Sequence, residues 1–166
     1  MNMLQKRKEG MVEKIIHQED DKHANKYLRF DIYNEVYALE VLKIKEIINY
    51  REVTEVPNTS PYVSGVISLR GAIIPIINCR RCLNSHEIGA GHKKNIIILG
   101  YNGLIAGLPV SRVRDVIYIN EDKFSTVPQF VGKGKMGFFK GIIEYRDKFI
   151  MVIKIEALLG NLKNKI

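Results

Sequence analysis

The feature that most constrains this chain is an internal repeat. The segment LEVLKIKEII, residues 39–48, falls on LPVSRVRDVI, residues 108–117, when moved along by 69 positions. Apolar meets apolar at Leu39/Leu108, Val41/Val110, Ile44/Val113, Ile47/Val116 and Ile48/Ile117. Lys43, Lys45 and Glu46 meet Arg112, Arg114 and Asp115. Further along the displacement becomes 76: GVISLRGAIIPIIN, residues 65–78, falls on GIIEYRDKFIMVIK, residues 141–154, with Gly65 on Gly141 and Arg70 on Arg146. Between these blocks Val56-Pro57 answers to Val127-Pro128. Matched pieces in a matched order mark one supersecondary unit written twice.

The content of that unit is β. Runs rich in Ile, Val and Tyr occur at YLRFDIY, VYALEV, YVSGVISL, AIIPIIN, NIIILGY, LIAGLPV and KFIMVIKI, the texture of half-buried or buried strands. Turn signals separate them at Tyr33-Asn34-Glu35, Pro57-Asn58, Arg70-Gly71, Tyr101-Asn102-Gly103 and Arg146-Asp147. A unit of about 70 residues is small for a core of its own, so two units are expected to share their apolar faces. Closing each sheet removes exposed edges, which gives an all-β fold of two small five-stranded barrels around a shared core. The pattern IEALLGNL near the end adds a short C-terminal helix. Residues 1–24 carry five Lys/Arg, five Asp/Glu and thin apolar content, too little to offset an ordering entropy of about 1–2 kcal/mol per residue. The expectation is a flexible tail over 1–24 and a folded domain over 25–166.

Several functions are set aside by what the chain lacks. No run approaches the roughly 18–20 apolar residues of a membrane span, and the charged start has no secretory h-region, so a soluble cytoplasmic protein without membrane insertion is expected. Cys79 and Cys82 form C-x-x-C without a second ligand pair, and read as incidental, semi-buried thiols. His17, His23, His86 and His92 show no zincin spacing, and neither a G-x-S-x-G elbow nor a Walker loop occurs. Gly132, Gly134 and Gly137 spell G-x-G-x-x-G, but strand-like sequence follows where a dinucleotide site needs a helix. No catalytic residue, metal site or cofactor emerges, and the chain reads as a binding protein rather than an enzyme. Its net charge of +8 favours acidic partners. A basic nucleic-acid-binding β-barrel is the alternative, against which stands the lack of aromatics interleaved with Lys/Arg on one strand face.

The segment VTEVPNTSPYVSGVISLRGAIIPIIN resembles the most characteristic stretch of the CheW-like domain family. It has a Val-Pro corner, an aromatic, Gly-Val-Ile, then Leu-Arg-Gly and an apolar strand containing Pro. YLRFDIYNEVYALEVLKIKEII, GLPVSRVRDVI and MVIKIEALL are similar to the family's other landmarks, so the resemblance spans about residues 26–160. It implies SH3-like barrels and a non-enzymatic chemotaxis adaptor, recruited to receptor arrays at the inner face of the membrane. The implied partners are a chemotaxis histidine kinase, through that kinase's own CheW-like regulatory domain, and the cytoplasmic tip of methyl-accepting chemoreceptors. No nucleic acid is implied. Matched to the family's pattern, the receptor- and kinase-binding candidates are Ile44, Glu46, Gly65 and Arg70. Glu46 and Arg70 admit two roles, an internal ion pair or outward recognition, and Gly65 equally fits a strand position too close-packed for a side chain.

Overall fold

The computed structural model describes residues 26–83, 93–127 and 136–163, together with Met3, Lys6 and Arg7. Apart from those three, the expected tail over 1–24 lies outside the described residues, as do His86, His92, Gly132 and Gly134.

Ten strands form, seven at the apolar runs and three (β3, β8 and β9) in the repeated segments between them: β1 (Lys26–Ile32), β2 (Glu35–Glu40), β3 (Ile44–Asn49), β4 (Val63–Leu69), β5 (Ala72–Ile77), β6 (Asn95–Tyr101), β7 (Leu104–Val110), β8 (Arg112–Tyr118), β9 (Phe139–Tyr145) and β10 (Lys148–Ile153). Two helices follow β5 and β10, α1 (Cys79–Leu83) and α2 (Ile155–Lys163). The hairpin turns at Arg70-Gly71, Asn102-Gly103 and Arg146-Asp147 hold both central residues at positive φ, between 49° and 81°. That backbone matches the twist of the flanking strands. The short helix α1 was not expected from periodicity. Asn78 starts it, its side-chain oxygen and its carbonyl accepting from the Arg81 and Cys82 amides at 3.2 and 3.0 Å, and it occupies the place in the first repeat that α2 occupies in the second.

The strands make two five-stranded sheets, in the orders β8-β1-β2-β10-β9 and β3-β6-β7-β5-β4. Under the repeat, β1 to β5 correspond to β6 to β10, and the two orders are then the same order. Each sheet is therefore mixed. The first hairpin of one repeat supplies its middle, and the crossover strand and second hairpin of the other repeat supply the rest. Antiparallel ladders of β1 with β8 and β3 with β6, and shorter parallel pairings of β2 with β10 and β5 with β7, join the two contributions.

Three apolar clusters follow from this arrangement. Tyr27, Ala38, Ile117, Ile143, Ile150 and Val152 fill the inside of the first sheet, while Ile67, Leu69, Ile74, Ile76, Ile96 and Ile98 fill the second. The positions correspond through the repeat, as at Ile143/Ile67, Ile150/Ile74 and Val152/Ile76. Among the described residues the third cluster is much the largest, with 27 buried members against 7 and 6. It draws on both sheets, with Leu39, Val41 and Ile44 and their counterparts Leu108, Val110 and Val113 all present. Both helices pack into it, including Cys79 and Cys82, which are buried and not disulfide-bonded. Parting the sheets would expose the greater share of the core, so the two halves are bound to melt together.

Each sheet is curled, and no continuous ladder closes it into a full barrel. The chain leaving edge strand β3 pairs at Thr54 with Val66 of the opposite edge strand β4, through two hydrogen bonds of 2.9 Å. Ser125, beyond β8, pairs likewise with Ile142 of β9 at 2.8 and 3.0 Å. The repeated glycines sit under these bridges. A Cβ on Gly65 would lie 2.3 Å from the Thr54 carbonyl oxygen, and one on Gly141 2.8 Å from that of Ser125. Gly65→Ala is expected to destabilise the fold by about 1–3 kcal/mol through this clash. Gly160→Ala, in α2 with nothing within 4 Å of the added carbon, is expected to stabilise by about 0.5–1 kcal/mol. Urea denaturation of both checks the seam: a Gly65→Ala protein as stable as wild type would show that the closure is not tight.

Candidate functional site

All four candidate residues fall on the seam that closes the second sheet. Ile44 and Glu46 lie on edge strand β3, Gly65 on edge strand β4, and Arg70 in the β4–β5 turn. Irregularities of register fall between Ile44 and Glu46 and between Val63 and Gly65, and such bulges bend and twist an edge. The turn conformation of Arg70 sends its side chain back across the seam, where Nη1 donates to Glu46 Oε1 at 2.6 Å. The hydrogen bond to Glu46 holds the Arg70 guanidinium pKa above its ordinary value. Arg51 spans the same gap, its Nη1 donating to the Ser68 carbonyl at 3.0 Å.

The pair is both internal and outward-facing. Glu46 is largely covered, at 24% side-chain exposure, whereas Arg70 is 73% exposed. Ile44 belongs to the shared core and Gly65 is buried beneath the closing bridge. Burial places both beneath the exposed Arg70 side chain rather than on the outer surface of the seam. Two apolar residues that sequence reasoning did not single out stand exposed nearby in the chain. Leu42, in the 3-10 turn before β3, is 65% exposed, and Ile73 on β5 is 66% exposed. Both sit in apolar stretches whose members are mostly buried, so no sequence signal marks them.

The repeat suggests an Asp115–Arg146 pair closing the first sheet, and the structure does not form it. Arg29 takes Asp115 instead, its Nε and Nη2 donating to the two carboxylate oxygens at 2.5 and 2.7 Å. Arg29 stands where the second sheet has Ile98. The Arg29 hydrogen bond, opposed by partial burial, holds the Asp115 carboxyl below its usual range. Further cations are tied in the same way: Arg114 to Asp31 at 2.6 Å, Lys140 to Glu40 at 3.1 Å and to Tyr27 Oη at 2.8 Å, and Lys43 to Glu156 at 3.5 Å. Cations spent on carboxylates do not make a phosphate-tracking stripe, which weighs against the nucleic-acid alternative. Among the described residues there is no cluster of three His, Cys, Asp or Glu that could hold a metal, and no helix long and apolar enough to cross a membrane.

These features define a small duplicated β domain of two five-stranded sheets. The CheW-like domain model matches residues 26–163, and the chain belongs to that family. It is 30% identical to chemotaxis protein CheW of Bacillus subtilis over 138 residues, covering 83% of this chain and 88% of the relative. Chemotaxis protein CheW of Thermotoga maritima is 28% identical, with 83% and 89% covered. The crystal structure of scaffolding protein TtCheW from Thermoanaerobacter tengcongensis superposes with a TM-score of 0.72 at 30% identity, over 86% of this chain and 92% of that one.

The Asp115 pairing has a pH consequence. A carboxylate whose pKa is lowered on folding adds stability above its unfolded value, near 3.9, and loses it as pH falls through the lower folded value. Asp115→Asn should therefore be less stable than wild type at neutral pH, by about 1 kcal/mol or less because the pair is partly solvated. The difference should shrink below about pH 4. Denaturation curves across pH measure it, and a difference that grows towards acid would contradict the pairing.

Proposed function

We propose that this chain is a non-enzymatic chemotaxis scaffold, which couples the cytoplasmic tips of chemoreceptors to a histidine kinase at the inner face of the membrane. Family membership supports the scaffold role, since relatives with this fold bear chemotaxis and scaffolding names. The observation that carries the reading to particular residues is the seam. A charge pair with one outward partner is held rigidly by a backbone bridge, and exposed Leu42 and Ile73 lie within a few residues of it in sequence.

A receptor helix laying apolar side chains against such a surface is the helix-in-groove mode of recognition. The kinase's own CheW-like domain would supply the second contact. Signal passes when one arrangement of the receptor tip favours one placement of the kinase, which is a shift of populations and requires no reaction.

Arg70→Glu is expected to abolish co-purification with receptor tips and kinase while leaving the melting temperature within a few degrees, because Arg70 is exposed. The double swap Glu46→Arg with Arg70→Glu restores the internal pair but reverses the charge presented outwards. It should be folded and still uncoupled. Full coupling by the double swap would confine the pair to a structural role and place the partner surface elsewhere.

A further inference from the structure

A cavity of about 820 Å³ opens on the first sheet, away from the Glu46–Arg70 seam, between the β1–β2 and β9–β10 hairpins. Its volume lies within the range of specific binding pockets. Four cations line it, Arg29, Arg114, Arg146 and Lys148, against a single lining carboxylate, Glu35. That carboxylate is already engaged, accepting from the Tyr37 hydroxyl at 2.5 Å.

The donors left over decide what the cavity attracts. Arg29 spends Nε and Nη2 on Asp115, and Arg114 spends Nε on Asp31. Arg146 makes no hydrogen bond or ion pair among the described residues, and stands over the Tyr145 ring at 5.2 Å. Arg29 packs at 4.8 Å from the same ring. Lys148 likewise has no acceptor among the described residues. The Nη groups of Arg114, the five N–H groups of Arg146 and the Lys148 ammonium are thus available to acceptors outside the chain. Beside Lys148, Phe149 is 75% exposed at the lining of the cavity. A small anion would leave that ring in water, whereas a peptide carrying an apolar side chain next to its carboxylates would cover it.

We propose that this cavity docks an acidic peptide segment of a partner protein, with Asp or Glu side chains on Arg114, Arg146 and Lys148 and an adjacent apolar side chain on Phe149. The proposal does not rest on the role of the Glu46–Arg70 seam and can fail or hold independently of it.

Amide NMR of the full, isotope-labelled chain tests it with four probes. They are the capped peptide Glu-Asp-Phe-Asp-Glu, its amide counterpart Gln-Asn-Phe-Asn-Gln, citrate, and a short oligothymidine. The acidic peptide should shift the amides of Arg146, Lys148, Phe149 and Met151, and the amide counterpart should bind at least about tenfold more weakly. Arg146→Glu with Lys148→Glu should lose at least about tenfold in affinity without a change in melting temperature, while Lys94→Glu, just before β6 of the other sheet, should not. Phe149→Ser should weaken the peptide and leave any citrate response unchanged. Absence of localised shifts at millimolar acidic peptide would overturn the proposal. So would a citrate response equal to that of the peptide, which would mark a plain anion site. A stronger response to oligothymidine would overturn it in favour of nucleic acid.

Discussion

A five-stranded sheet has two edges, and each edge is a row of unpaired amides and carbonyls open to other chains. In this protein the edges are brought together across a narrow seam: one backbone bridge from Thr54 to Val66, the glycine that lets it approach, and the Glu46–Arg70 pair beside it. The first sheet has the same bridge and glycine at Ser125, Ile142 and Gly141. Curvature imposed at the seams encloses the two inner clusters and turns the outer faces towards one another as the largest cluster. The outside of the same seam carries the exposed Arg70 side chain. Ile44 and Gly65 belong to that closure, one in the shared core and the other beneath the backbone bridge.

Much of this is legible in the sequence. Strands and turns follow from apolar runs broken by residues suited to positive φ, as at Asn102-Gly103, and the terminal helix from IEALLGNL. The exchange of strands between repeats is not legible. A duplication says which segments are alike, not which copy pairs with which, and here β8 pairs with β1 and β3 with β6 across the copies. The helix α1 is too short to show a period. At the seam the resemblance brings Glu46 and Arg70 forward, but only the fold shows that one is covered and the other presented. The exposure of Leu42 and Ile73 is invisible from sequence, because an apolar residue in an apolar run gives no sign of facing water.

The two copies differ at the seam that closes each sheet. Arg29 replaces the counterpart of Ile98, captures Asp115, and leaves Arg146 without the partner that Arg70 has in Glu46. The second sheet keeps Ile98 in its inner apolar cluster and pairs Arg70 with Glu46 at its seam. The first carries a bidentate ion pair stacked on Tyr145 and a cavity with cations to spare. The duplicated domain thus carries two unlike faces.

The central claim is that neither repeat completes a sheet without the other. The most direct measurement is to cut the chain within residues 84–92 and produce the halves separately, following each by amide NMR, sedimentation and thermal unfolding. Neither half should fold as a monomer, and mixing them should restore a dispersed spectrum and a cooperative transition in a one-to-one complex. A half that folds cooperatively as a monomer would contradict the account, since it would show that a single repeat can close a sheet of its own.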